Sequence, residues 1–401
     1  MQKNKLVVTT ILILMIQLVN AQQKISFSDA DYKSYDLYYN GKWKELIKYG
    51  EEAIKDGNDF NYLRLRMGYA AFMLQNYSEA LKHYNAVLSK DSYHEIAHYY
   101  AWLCLINLHQ QEQAYIHVPY FSKETKDYFH PAKRTITSLG WESSFKTTNV
   151  TTRNNSMYNK ITLNSRLGWR INMEHSFATH QQNINEEKFI YINNNQNIQI
   201  KQKEYYNKTT VSLNRKWQLK AAYHYLQTPF NSLIYRPDSN LVYNNKIWLM
   251  GLKYFANYFT LQVSLISAKL ADSNIHQYTL QSSYYPYGNM NVYGISTISI
   301  KEQNNIHSIN VHQVAGCKLT KKTWLEGNIT LGSFSNITEN DALYVYNAVD
   351  ENQFKGGMNV YLLQNEHILV MLGYTFEQRK LYKTDFLFYQ HSINGGLTWK
   401  F

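Results

Sequence analysis

Proline is scarce in this chain, five in 401 residues, so little interrupts a hydrogen-bonded ladder or helix. Two cysteines exclude a disulfide-built scaffold. Cys104 and Cys317 fall in segments that read as a helix and a distant strand, and are expected to be small buried hydrophobes and not partners. Charged residues make up only 18%. Past Ala21 no apolar run approaches the ~18 residues of a membrane-spanning helix. The chain also lacks a nucleophile elbow, a phosphate loop, a His-Glu-x-x-His and a Cys-x-x-Cys. No cofactor, metal or catalytic residue is therefore assigned, and the chain is expected not to be an enzyme.

What is abundant is aromatic. Phe, Trp and Tyr are 15% of residues, 36 of them Tyr, yet the mean hydropathy is −0.48. A transmembrane barrel combines these naturally, with aromatic girdles outside and a polar lumen within. The first residues have the three parts of a secretory signal: Met1 to Lys5 basic, Leu6 to Leu18 apolar, and Val19-Asn-Ala21 ahead of a cut. Residues 1–21 are expected to be removed. The net charge of +11 in an exported chain points to anionic lipid or solute, and nucleic acid is not an expected partner.

From Ser28 to about Asp127 the apolar period is helical. Trp43/Tyr77, Leu46/Ala80, Gly50/Tyr84 and Ala53/Val87 share one offset, close to the ~34 residues of a tetratricopeptide repeat. Gly68 sits where a small residue lets two helices approach, with Ala71 one turn on. A weaker third unit runs from His94 through Trp102 to Ala114. The segment resembles tetratricopeptide repeats, and the competing reading is helix pairs of another all-α fold. Either would leave a concave face for a periplasmic protein or polysaccharide. Asp127-Tyr-Phe-His130-Pro131 marks the change-over, giving a helical domain over 22–130 and a second domain over 131–401.

The second domain alternates with period two. Ile161, Leu163, Leu167 and Trp169 stand against Thr162, Asn164, Arg166 and Arg170; Trp217, Leu219, Ala221 and Tyr223 stand against Gln218, Lys220 and His224. Short turns are expected near Met173, Lys216, Ala256, Gly288, Lys321 and Asn365. Longer polar loops are expected near Thr152, Asn194, Pro237, Asn274, Asn304, Asp341 and Lys380. Short connections on one side and long on the other is the barrel pattern. The predicted fold is a two-domain α + β chain: tetratricopeptide-like helices, then an antiparallel transmembrane barrel of about 14 strands, with 12 or 16 as alternatives. A soluble sandwich or propeller would bury its apolar row equally well, and the whole pattern together favours the barrel.

The chain ends Gly395-Gly396-Leu397-Thr398-Trp399-Lys400-Phe401, similar to the carboxy-terminal assembly signal of bacterial outer-membrane barrels. Gly396, Leu397, Trp399 and Phe401 are the predicted closure residues, and the resemblance implies the barrel-assembly machinery as a partner. With Leu167-Gly-Trp169-Arg170 and the Tyr-rich strands, the layout resembles the YaiO family of outer-membrane β-barrel proteins. In arrangement it is also similar to exopolysaccharide export porins, which pair a periplasmic repeat scaffold with a barrel. That likeness implies an outer-membrane location, contact with outer-membrane lipid and lipopolysaccharide, and a pore or assembly role in export of a polysaccharide or similar envelope polymer.

Glu142, Arg166, Arg170, Lys208, Lys220, Glu326 and Glu377 are predicted to face the lumen. They would either line an open channel or pair across it and plug it. Two further readings stay open: a structural or adhesion barrel, and a lipid-modifying barrel enzyme using one of His175, His224, His276, His307, His312 or His391 with a serine.

Overall fold

The computed structural model of the protein describes residues 24–129, 135–186, 196–231, 240–270, 273–347, 350–382 and 384–401. The expected signal peptide and the loops at Asn194 and Pro237 lie outside these residues.

Among the described residues the helical part comprises α1 (Phe27–Tyr39), α2 (Trp43–Lys55), α3 (Asn61–Met73), α4 (Tyr77–Lys90), α5 (Glu95–Asn107), α6 (Gln111–Ala114), a 3-10 helix (Tyr115–Tyr120) and α7 (Lys123–Phe129). Side chains cap the starts: Ser26 accepts from the Asp29 N–H, Asn76 from Glu79 and His94 from Ala97. Consecutive helices pack as antiparallel pairs around Leu46, Leu63, Met67, Tyr84, Leu88 and Leu105, all buried. At Gly68 a methyl group would stand 2.9 Å from the Tyr84 ring, so only glycine permits this approach of α3 to α4. The rings of Tyr38, Tyr69 and Tyr100, on α1, α3 and α5, meet edge to face at 5.4 and 5.6 Å.

Among the described residues sixteen strands follow: β1 (Ile136–Thr148), β2 (Arg153–Leu167), β3 (Ile171–Glu186), β4 (Gln196–Ser212), β5 (Trp217–Asn231), β6 (Asn240–Phe255), β7 (Phe259–Leu270), β8 (Ser273–Tyr284), β9 (Val292–Gln303), β10 (Ile306–Thr320), β11 (Thr323–Phe334), β12 (Ile337–Glu339), β13 (Tyr344–Tyr346), β14 (Glu351–Leu363), β15 (Ile368–Lys380) and β16 (Leu387–Lys400). All but β12 and β13 form one closed antiparallel barrel of fourteen strands. Closure joins β16 to β1, with Leu139 opposite Trp399, Trp141 opposite Leu397 and Glu142 opposite Gly396. The Phe401 N–H donates to the Thr137 carbonyl at 3.0 Å. Closure leaves no edge strand, which is what permits such a wall to stand in hydrocarbon.

Alternation decides the two faces. In β7, Phe259, Leu261, Val263 and Leu265 are exposed outside while Thr260, Gln262 and Ser264 are buried within. Outward aromatic pairs lie at both ends of the apolar band. Tyr223/Trp248 and Phe177/Tyr205 mark one end at 4.4 and 5.0 Å between centroids, and Trp217/Tyr254 the other at 4.8 Å.

Connections differ from the expected pattern in four places. β7 ends at Leu270 and β8 starts at Ser273, with Asn274 already paired to Lys269. Asn304 and Asn305 form a two-residue hairpin, both with positive φ. The connection at Thr152 runs only from Thr148 to Arg153. At the other end Met173 lies inside β3, and the turn precedes it at Gly168 to Arg170. The polarity of these segments reflects their place above the apolar band, where ladder continues into water, and not loop length.

Candidate functional site: an occupied lumen

The connection from β11 to β14 is the one that shapes the interior. Instead of standing out as a polar loop, it turns inward. Within it β12 and β13 pair through Ile337/Tyr346, Thr338/Val345 and Glu339/Tyr344. At the tip Asn340, Asp341 and Ala342 have φ of 52°, 56° and 65°. Consecutive left-handed residues cost roughly 1–2 kcal/mol each, less for Asn and Asp, so the tip keeps this shape only because surrounding groups hold it.

Those groups come from most of the circumference. Asp341 accepts from Lys220 of β5 at 2.6 Å and from Gln262 of β7 at 2.7 Å, with Lys208 of β4 at 3.9 Å. The Tyr206 hydroxyl donates to the Asp341 carbonyl at 2.9 Å, and His224 Nδ1 stands 2.8 Å from the Ala342 carbonyl, an acceptor. Gln277 of β8 donates to the Thr338 carbonyl and accepts from its N–H. On the far wall the Tyr344 hydroxyl donates to Glu142 of β1 at 2.8 Å and accepts from Lys160 of β2 at 2.6 Å. Glu339 pairs with Lys355 of β14 at 2.8 Å, and Lys301 of β9 donates to the Ser335 carbonyl at 2.6 Å. Ala342 and Leu343 also cover an apolar patch of Leu226, Ile247, Leu249, Ile266, Leu270 and Ile275 on the inner wall.

Of the predicted lumen residues, the structure brings Lys208 and Lys220 together on Asp341, and puts Glu142 on Tyr344. Glu377 lies in the wall between Arg379 at 2.7 Å and Lys146 at 4.0 Å. Glu326 accepts from the hydroxyls of Tyr293 and Tyr361 at 2.9 and 3.3 Å. Arg166 is buried at the turn end, its guanidinium 3.2 Å above the Tyr115 ring. Arg170 is different: it is exposed in the β2–β3 turn and donates to the Leu213 carbonyl. One glycine turn, Gly168 at φ 61°, carries it out of strand phase.

Residues that sequence reasoning did not single out include Asp341, Glu339, Tyr344, Lys160, Lys355 and the buried Arg153–Asp350 pair at 2.7 Å. A signal existed in Ile337-Thr-Glu and Tyr344-Val-Tyr346, two short β-branched and aromatic runs inside a segment otherwise read as polar loop. Of the six histidines weighed for catalysis, His224 and His312 face inward and bond Ala342 and Thr330. His175, His276, His307 and His391 stand on the outward rows with Phe177, Tyr278, Ile309 and Ile393. No group of three or more metal-ligating side chains occurs among the described residues.

Around the hairpin remains a cavity of about 1350 Å³. Its lining is dominated by amides and hydroxyls, among them Gln182, Gln202, Gln281, Thr297, Asn328 and Gln390. The helices close the turn end. Asn76 donates to the Tyr258 hydroxyl, which donates to Glu79 at 3.2 Å; Ser78 N–H donates to the Gly288 carbonyl; Gln113 donates to the Asn214 carbonyl; Arg215 donates to the Leu88 carbonyl. Tyr285 of the β8–β9 turn joins the helical core. Glu79 is held down to about 2, chiefly by His83, whose Nε2 stands 3.2 Å from Oε1, and further by Lys82, against desolvation.

Fold and lumen together define a fourteen-stranded β-barrel with an inward hairpin and a helical cap. No family model matches the chain, so membership of the YaiO or tetratricopeptide families rests on resemblance alone. No curated protein matches it either. Among solved structures the chain is similar to the CymD monoaromatic hydrocarbon channel, at 8% identity and a TM-score of 0.46, covering 67% of this chain and 89% of that one. It is also similar to the Pseudomonas putida toluene transporter TodX, at 9% identity and 0.45, covering 68% and 91%. A bacterial polysaccharide outer membrane secretin matches at 10% identity and 0.41, covering 67% and 100%. Likenesses this slight carry nothing about cargo.

Proposed function

We propose that the protein is a gated channel of the cell outer membrane, with its helical domain in the periplasm, serving export of a polysaccharide or similar hydroxyl-rich envelope polymer. The observation that carries the reading is the occupied lumen: a hairpin with a left-handed tip held by ion pairs to the wall inside a polar cavity of about 1350 Å³. A wall that is apolar outside and hydrogen-bonded within is suited to hydrocarbon. The lumen charges largely neutralise one another in pairs. What remains for a solute is amide and hydroxyl, donors and acceptors that match a neutral polyhydroxylated chain. The helical pairs at the turn end offer a scaffold for a periplasmic partner, and β16 with its terminal aromatics is the part that assembly machinery would engage.

A structural or adhesion role without transport is the second reading, favoured by obstruction at both levels, hairpin and helices. Planar-bilayer recording separates the two. A channel gains conductance when residues 336–347 are replaced by a short linker; a structural barrel stays silent in that variant and in one also lacking the helices. Silence in both would remove transport.

A further inference from the structure

Outside the barrel, just beyond the aromatic end of the apolar band, strands β4 to β7 carry a concentration of lysines. Gln202 and Glu204 are buried in the lumen, so the alternation turns Lys201 and Lys203 outward; Asn245 and Ile247 are buried, which turns Lys246 outward. All three are exposed. Lys203 stands opposite Gln227, which stands opposite Asn244, two residues from Lys246. Two strand spacings across and two residues along the strand put Lys203 and Lys246 about 12 Å apart. Lys246 stands opposite Lys269 across the β6–β7 ladder. The carboxylate among the described residues of these four strands, Glu204, points into the lumen.

Immediately toward the band lie the Tyr223/Trp248 and Phe177/Tyr205 ring pairs. Between the lysines the Tyr225 hydroxyl donates to Asn244 Oδ1 at 2.6 Å, which leaves the Asn244 amide hydrogens facing outward. From one end to the other the surface therefore offers an apolar wall, aromatic rings, a hydroxyl-binding amide and a cluster of cations. We infer that this face binds a phosphorylated glycolipid of the outer leaflet, with acyl chains along Trp248 and Met250, sugar hydroxyls at Asn244 and Gln227, and phosphate at Lys201, Lys203 and Lys246. The inference rests on the membrane reading above. A zwitterionic headgroup would leave the cations without complement, and a free phosphate would leave the aromatic wall unused.

The test uses the full chain folded in zwitterionic detergent, with Trp fluorescence and Tm as readouts. Titrants are a hexa-acylated diphosphoryl glucosamine disaccharide, the same lipid without phosphates, and inorganic pyrophosphate. The diphosphoryl lipid binds the wild type, and K201Q/K203Q/K246Q weakens it on the order of 100-fold, from roughly a tenfold loss or somewhat less per lysine near a charged surface. The variant K321Q/K322Q, in an opposite-end turn, binds as the wild type does. Equal binding by the triple variant, by the phosphate-free lipid, or displacement by pyrophosphate overturns the lipid site. Failure of the wild type to insert into zwitterionic bilayers overturns the membrane reading and the site with it, an outcome distinct from insertion without phosphate selectivity.

Discussion

Replacing Asp341 with alanine is the sharpest perturbation of the lumen. Its carboxylate accepts from Lys220 at 2.6 Å and from Gln262 at 2.7 Å, and both partners of the ion pair are about nine-tenths buried, at 9% and 10% side-chain exposure. Removing one member of a buried pair costs about 3–5 kcal/mol, because the remaining charge stays in place without its complement. Here the cost falls on one state only. When the hairpin leaves, Lys220 and Lys208 gain water, and Ala342 is released from a left-handed conformation that costs roughly 1–2 kcal/mol. Against release stand the apolar contact of Leu343, about 1.5–3 kcal/mol, and the Tyr344–Glu142 and Glu339–Lys355 contacts. A bias of about 3 kcal/mol raises the open population by roughly two orders of magnitude. Single-channel recording should therefore show frequent openings in D341A, intermediate behaviour in D341N, and rare openings in the wild type. If D341A stays as closed as the wild type while replacement of residues 336–347 conducts, the Asp341 latch is not what holds the hairpin. If the replacement is silent too, the hairpin is not the gate.

Other consequences concern the helical cap and the wall. Gly288 has φ 65°, and a Cβ there would stand 1.9 Å from Asn76 Oδ1, the group that caps α4. G288A should expose the β8–β9 turn to limited proteolysis at a several-fold higher rate, and wild-type protection would refute the docking described. R166A removes the guanidinium stacked on Tyr115, worth about 2 kcal/mol when desolvated; cap release followed by proteolysis should quicken about tenfold or more. The Glu79 carboxyl, held down by His83 and Lys82 of its own helix, contributes stability to the helical domain above its ordinary value of 4.5, and the contribution is lost as pH falls toward about 2. Acid loosening in that window should flatten in E79Q, and an unchanged profile would exclude Glu79. G68A should lower the unfolding temperature of the helical domain, since a methyl at 2.9 Å from the Tyr84 ring forces it to shift, at about 1–3 kcal/mol.

Several elements were legible without coordinates because they depend on neighbours along the chain. The outward row Trp217, Leu219, Ala221 and Tyr223 follows from period two, and the Trp43/Tyr77 offset marks helices of matching face. Strand ends were less legible: polar ladder above the band, at Asn274 and on either side of the Asn304–Asn305 turn, has the composition of loop. Arg170 falls outside the lumen because one glycine turn interrupts the alternation that places Arg166 inward.

By itself, then, the chain determined which stretches are strand and which helix, which face of each strand is apolar, and that the last strand ends on aromatics able to close a barrel. Each follows from contacts a few residues apart. Only the tertiary structure decided what fills the interior. Asp341 meets Lys220 across 121 residues and Tyr344 meets Glu142 across 202. No periodicity records such pairings, because they arise when closure brings opposite walls to within reach of one inward-turning hairpin.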